Sequence, residues 1–363
     1  MTADVQVEAE TSPNKNSRGS PILLTNPLQD PEWDLLLATR PEATLFHGKA
    51  WARVLHETYG HVPTYYLRLE GGRLADLLPL MEVSSPVTGR RGVSLPFTDF
   101  CEPLTTSDSN IANLYQAALE HGRERGWRYL ECRGYDGSWP ESSPSLAFLG
   151  HILDLDGDEK ALFAKLDSSV RRGIRKAESA GLRVTIENSV EAVEIYYALH
   201  CLTRRRHGVP PQPFRFFANI QKYVLQPGFG FIAIARVGEK PVASAVFFHQ
   251  GGQALYKYGA SNLDFQNIRP NNLLMWEGIR QCHARGCASL HFGRTSLMHE
   301  GLRRFKLGFG ARETEIKYCK FDFREGRFVT DVDRVEGWFN RVFSAMPPAL
   351  LKLAGQLLYP HLS

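Results

Sequence analysis

Arg285-Gly286-Cys287-Ala288-Ser289-Leu290-His291 can be laid over Arg125-Gly126-Trp127-Arg128-Tyr129-Leu130-Glu131, with Arg, Gly and Leu in common. Each stretch reads as a helix end, a glycine just beyond it and the start of a strand, because glycine accepts the left-handed backbone that stops a helix. Outward from both, one order repeats. Before the first lie a helix over 48–58, strands over 62–70 and 74–83 about the Gly71-Gly72 turn, a strand over 93–95 and a helix over 111–125. Before the second lie helices over 190–207 and 214–225, strands over 231–237 and 242–249 about Gly238-Glu239, a strand over 253–259 and a helix over 271–285. The two turns stand at nearly the same separation from their Arg-Gly pairs. The chain therefore reads as a duplicated α/β unit, although helix-glycine-strand junctions also recur in unrelated α/β proteins. The expected parts are a disordered tail over 1–20, one unit over 21–155, a second over 156–330 and a helical segment over 331–363.

With 363 residues, 43% of them hydrophobic and 23% charged, the chain is long enough for two cores. Its 43 basic against 39 acidic residues leave a net charge of +4, too small to mark the whole chain as a nucleic-acid binder. No motif of sequence-specific nucleic-acid recognition is present. Six cysteines without a Cys-x-x-Cys pair read as reduced thiols and give no metal site. The N-terminus lacks the charged-then-apolar order of a signal peptide, and no stretch reaches about 18 apolar residues, so a cytoplasmic protein is expected. Val335–Leu358 reads as two amphipathic helices about Pro347-Pro348. They are expected to pack on the domain; contact with the inner membrane face is the alternative, disfavoured because Lys352 is the only Lys or Arg after Arg341.

The segment 168–181 reads as a helix capped by Ser168 and ended by Gly181, with Val170, Ile174 and Ala177 as its apolar stripe. Arg171 with Arg175 and Arg172 with Lys176 form i,i+4 pairs of like charge, which weakens the helix unless an anion faces them or water solvates them; both readings stand. In Arg204-Arg205-Arg206-His207, the first two suit a helix C-terminus, while Arg206 or His207 is free to project into a groove. Tyr256 and Tyr258 alternate about Lys257, so both are expected on one strand face, with Tyr258 a candidate acid.

Several phrases in order resemble the FemAB-like branch of the GNAT superfamily, in the version found beside exosortase and exopolysaccharide systems. They are Tyr59-Gly60-His61, Leu78-Pro79-Leu80, Ser94-Leu95-Pro96-Phe97, Val170-Arg171-Arg172-Gly173-Ile174-Arg175-Lys176-Ala177, Ile268-Arg269-Pro270-Asn271-Asn272-Leu273-Leu274, His291-Phe292-Gly293-Arg294 and Gly301-Leu302-Arg303-Arg304-Phe305-Lys306-Leu307-Gly308-Phe309-Gly310. The resemblance implies tandem GNAT-like domains, two mixed and mostly antiparallel sheets flanked by helices, and transfer of an acyl or aminoacyl group to an amine. It implies that Lys306, in the family's Phe-Lys pair, stabilises negative charge near the donor, with snorkelling along the surface as the plainer role. Phe305, Arg294, Arg269, Asn271 and the basic residues of 171–176 are the further candidates. Arg269 and Asn271 stand where an ordinary GNAT loop has glycines for the pyrophosphate of coenzyme A, which leaves acyl-CoA and aminoacyl-tRNA both open as donors, the former favoured. The acceptor implied is a small-molecule or lipid-linked amine of a cell-envelope or exopolysaccharide precursor. No Gly-x-Ser-x-Gly elbow or metal-ligand pattern is present, which agrees with direct transfer. Glu131, Asp136 and Asp99 are undistinguished candidates for a base. A duplicated scaffold that binds without turnover is the reading from another class.

Overall fold

The computed structural model describes residues 20–134, 137, 139, 142–333 and 337–362. The expected tail, apart from Ser20, and the candidate base Asp136 lie outside the described residues. The chain runs through β1 (Ile22–Thr25), α1 (Trp33–Leu37), α2 (Lys49–Tyr59), β2 (Val62–Pro63), β3 (Tyr65–Glu70) and β4 (Arg73–Leu78). It continues through β5 (Met81–Ser85), β6 (Gly89–Val93), α3 (Asp108–Arg125), β7 (Tyr129–Arg133) and β8 (Leu146–Asp154). There follow α4 (Glu159–Lys165), α5 (Ser168–Ser179), β9 (Leu182–Glu187), α6 (Val190–Arg206), α7 (Phe214–Ile220), β10 (Gly230–Val237) and β11 (Lys240–Gln250). The last elements are β12 (Gln253–Ser261), α8 (Pro270–Ala284), β13 (Ser289–His291), α9 (Glu300–Leu307), β14 (Arg312–Asp322), β15 (Arg327–Phe328), α10 (Trp338–Ala345) and α11 (Pro348–Leu358).

The two compared stretches are equivalent in the fold: α3 and α8 each deliver a short strand, β7 or β13, that pairs in parallel with the preceding strand, β6 or β12. Elsewhere the pairing is antiparallel. The central order is β6-β7-β14-β8-β13-β12, so β14 of the second half pairs with β7 of the first, and β8 of the first pairs with β13 of the second. Exchanging the halves turns this order into itself. Instead of the two expected sheets, this trade of final strands fuses the large strands into one continuous mixed sheet. A smaller sheet, β1-β3-β4, stands apart because the chain breaks between Leu78 and Met81, where a single strand over 74–83 was expected.

β14 can lie in the middle because both its faces find apolar partners. Ile316 and Tyr318 cluster with Phe148, while Cys319 and Phe321 join Trp127 and Leu130. The largest core cluster also crosses the halves: Trp51 of α2 meets Phe216 of α7 and Phe248 of β11 at ring-centroid separations of 6.0 and 5.7 Å. Aromatic pairs of this kind add about 0.5–1.5 kcal/mol beyond the area they bury.

The C-terminal helices sit against α6. Leu351, Gly355 and Tyr359 turn inward, and Tyr359 is bonded to Arg204 at 2.6 Å, while Leu350, Leu353 and Leu357 stay exposed. Among the described residues no helix is long and apolar enough to cross a membrane.

Candidate functional site

β13 pairs with β12 over only three residues, ending at Leu255↔His291. β12 slips register against β11 at the next position, so that Tyr256 faces Phe247, Tyr258 faces Val246 and Lys257 is the extra residue of a β-bulge. A bulge strengthens local twist and bends its strand. On the other side Gly293 turns the chain away with φ +70°. The two strands thus part, and a cavity of about 490 Å³ opens between them, walled by Tyr256, Lys257, Gly293, Arg294, Phe305 and Lys306 among others.

The bulge corrects one sequence expectation. Tyr256 and Tyr258 do not share a face: Tyr256 packs with Phe247 and Phe292 on one side of the sheet, and Tyr258 with Phe216 and Phe217 on the other. One additional residue moves the second tyrosine across the pleat. Burial raises the Tyr258 hydroxyl well above the usual tyrosine range, so it stays protonated.

Lys306 is the buried side chain of α9, a helix whose first turn is capped by His299 accepting from the Leu302 N–H. It turns inward, not along the surface, and its Nζ donates to the carbonyls of Gly293 at 3.0 Å and Arg294 at 3.1 Å. Burial lowers its pKa to about 8, against the pull of Asp99. Asp99 comes from the first half, on a loop in which Leu95 and Phe97 hold φ of 55° and 62°. Each such non-glycine residue costs about 1–3 kcal/mol, and such strain gathers at functional positions. The Asp99 carboxylate lies 3.4 Å from Lys257 Nζ and 3.9 Å from Arg294 Nε. Burial alone would raise its pKa, but the charges of Lys257, Arg294 and Lys306 together hold it below the usual carboxylate range. Burial depresses Lys257, which Asp99 partly restores. Arg294 donates to the Tyr318 hydroxyl at 2.7 Å, which donates in turn to the Asp99 carbonyl at 2.6 Å. One carboxylate thus pairs two cations at the opening, and its charge favours the protonated form of a third, Lys306. His291 accepts from the Gly293 N–H at 2.8 Å, and burial lowers its pKa to about 3, so it is neutral.

At the far wall stands Asn271, in the first turn of α8. Arg269 adopts the left-handed conformation, φ 59°, which a glycine would take more easily, and Pro270 opens the helix. The turn therefore exists without the glycine, but the Arg269 side chain is exposed and lies off the cavity wall. Beside it α5 packs Gly173 against the Asn272 side chain and buries Val170, Ile174 and Ala177. Ser168 is the first helical residue instead of the cap: Asp167 precedes the helix and makes no side-chain capping bond. Arg171, Arg172, Arg175 and Lys176 are on or toward the outer surface of α5; none lines the cavity, and none forms an ion pair among the described residues. Arg206 and His207, at the end of α6, do reach the cavity. Glu131 is occupied by Arg133 at 2.8 Å.

The structure thus gathers Lys306, Arg294, Phe305 and Asn271 at one opening and leaves the α5 basic residues and Arg269 outside it. Sequence reasoning missed Lys257 and did not single out Asp99; the lysine set between two tyrosines was the available signal for the first. Among the described residues no group of three or more His, Cys, Asp or Glu side chains could hold a metal ion.

Residues 164–312 match the family model of an acetyltransferase (GNAT) domain. No curated protein matches the chain. Among solved structures, FemX superposes with a TM-score of 0.64 at 14% identity, covering 79% of this chain and 94% of that one. L-PGS from Bacillus licheniformis gives 0.53 at 15%, covering 94% and 99%. A tandem GNAT protein from the clavulanic acid biosynthesis pathway gives 0.53 at 11%, covering 83% and 98%. At these identities the likeness is one of fold. The match to a GNAT-type domain thus lies in the second half, and the fold as a whole is similar to those of FemX and of the tandem GNAT protein.

Proposed function

We propose that this protein is an amide-forming N-acyltransferase that takes its acyl group from an acyl-CoA and passes it to a small or lipid-linked amine of a cell-envelope or exopolysaccharide precursor in the cytoplasm. The observation that carries the reading is the opening between β12 and β13, where Lys306 fixes the Gly293–Arg294 backbone and bulged Lys257 faces it. An acyl group entering there meets Lys257, Arg294 and the remaining N–H of Lys306, all positioned to oppose negative charge on its carbonyl oxygen. The amine nitrogen attacks the acyl carbon, the new C–N bond forms, the C–S bond breaks, and the proton lost by nitrogen leaves with the thiol. Asp99, held below the usual carboxylate range, orders the cations in place of serving as the base. The α8 start, with Asn271 on the wall and the left-handed turn at Arg269, suits the anionic end of the donor.

Aminoacyl-tRNA is the second donor reading, supported by the fold likeness to FemX and L-PGS. The test is thermal stability against acetyl-CoA, longer acyl-CoAs, free CoA and charged tRNA, since a ligand at about 100 times its Kd adds close to 2.7 kcal/mol. Saturable stabilisation by an acyl-CoA, with transfer lost in Lys306→Ala, supports the first reading. A response to charged tRNA alone replaces it with the second, and silence toward every donor favours a binding scaffold without turnover.

A further inference from the structure

Behind the opening, on the opposite side of Asp99, Lys257 and Arg294, lies a second chamber of about 380 Å³. These three residues line both spaces, so the donor cavity and this chamber meet across them. The second chamber is built by both halves: the strained Phe97–Asp99 loop and Arg133 from the first, and α6, β12 and Arg294 from the second.

Its charges do not balance. Arg133, Arg204, Lys257 and Arg294 face it, and Asp99 is the one carboxylate on its wall among the described residues. Glu131 neutralises Arg133 at 2.8 Å, and Asp99 is shared by Lys257 and Arg294. Arg204 has no carboxylate within ion-pair distance among the described residues; it donates to the Tyr359 hydroxyl at 2.6 Å and the Pro210 carbonyl at 3.3 Å. Two cations are therefore left in excess around a half-open space, an arrangement that favours the entry of an anion. An independent observation points the same way. The Tyr258 hydroxyl, on the chamber wall, is buried without a hydrogen-bond partner among the described residues, and a proton held there has nothing to donate to.

We propose that this chamber holds an anionic group, a carboxylate or a phosphate, on the acceptor, so that the acceptor's amine is presented across Asp99 to the acyl carbon in the first cavity. The inference rests on the acyl-transfer reading and names its acceptor class: amines that carry their own negative charge. Arg204 and Tyr258 bind the anion, while Lys257 and Arg294, at the partition, face both substrates.

The experiment compares acceptors in pairs that differ in one charge: an α-amino acid against its amide, phosphoethanolamine against ethanolamine, and glucosamine 6-phosphate against glucosamine. The expected result is a preference in kcat/KM of roughly 10- to 100-fold for the anionic member of at least one pair, the range of one or two charge-assisted hydrogen bonds. Preference in the first pair alone assigns a carboxylate, and preference in either of the others assigns a phosphate. Arg204→Gln should shrink that ratio and Arg204→Lys should restore most of it; because both amines are measured on one variant, loss of folded protein cancels. Equal rates within every pair overturn the inference while leaving the acyltransferase intact. If none of these amines is acylated, the acyl-transfer reading for small acceptors fails, and the chamber is judged by binding: stabilisation by inorganic phosphate or acetate that disappears in Arg204→Gln upholds it, and no stabilisation by either sinks it.

Discussion

Replacing Lys306 by methionine tests the buried amine directly. In the folded protein burial brings this lysine to a pKa of about 8, against an ordinary value of 10.5. The native state therefore binds fewer protons than the unfolded chain between those values. The burial penalty is complete below about pH 8 and is relieved as the pH rises toward 10.5, so stability increases with pH across that window. The full difference corresponds to about 3 kcal/mol, of which about 2 kcal/mol should be regained between pH 7 and pH 9.5. Methionine has no such titration, but it leaves the carbonyls of Gly293 and Arg294 without their donor, at about 1–3 kcal/mol each. At pH 7 the two effects oppose, and wild type and Lys306→Met should differ by little. By pH 9.5 wild type should stand about 2 kcal/mol further ahead. Urea unfolding of both proteins at pH 7, 8, 9 and 9.5 measures this, and the comparison removes the other groups that titrate there. A gap that stays constant within about 0.5 kcal/mol over that range would refute the depressed lysine.

Asp99→Asn should destabilise by about 3 kcal/mol, since it strands Lys257 and Arg294 beside a neutral amide, and it should move the alkaline limb of the transfer pH profile below that of wild type by removing the charge that supports Lys306. An unmoved limb would separate Asp99 from Lys306. Gly293→Ala places a methyl 2.6 Å from the Asp99 carboxylate on a backbone of φ +70°, so a loss of at least about 1–2 kcal/mol in urea unfolding is expected, with a fall in transfer; wild-type stability would show that the loop gives way freely. Glu82 accepts from Arg125 at 2.8 and 3.0 Å and from the Trp127 indole at 2.7 Å, and these partners hold its carboxyl below 4.5 despite burial. Its contribution is complete above that value and is lost as pH falls through the folded pKa, so Glu82→Gln should cost about 2 kcal/mol at pH 7, and the difference should close on acidification.

The repeat was legible because its signals are local. Gly126 and Gly286 end α3 and α8 with positive φ, as the two Arg-Gly pairs predicted, and α2, α6, β10, β11 and β12 fall within a few residues of their expected bounds. The exchanged strands were not legible. β14 reads Arg312-Glu313-Thr314-Glu315 before any apolar residue, and nothing local indicates that its partners are β7 and β8, far away in sequence. Likewise Lys257 looked like one residue in a regular alternation, because a bulge is decided by the neighbouring strand. Lys306, Phe305 and Arg294 were found through short phrases, whereas Asp99 acquires its meaning only when the fold sets it against Gly293.

The trade of β8 for β14 also governs how the chain must be made. During synthesis the first half emerges with one side of β7 and both sides of β8 unpaired; one edge of β8 waits for β13, and the facing edges of β7 and β8 stay open until Asp322 has left the ribosome. Open edges of that kind recruit other chains. The nascent protein thus spends most of its production time with an incomplete first sheet, and a release anywhere before 312 would yield a sticky fragment instead of an independent half.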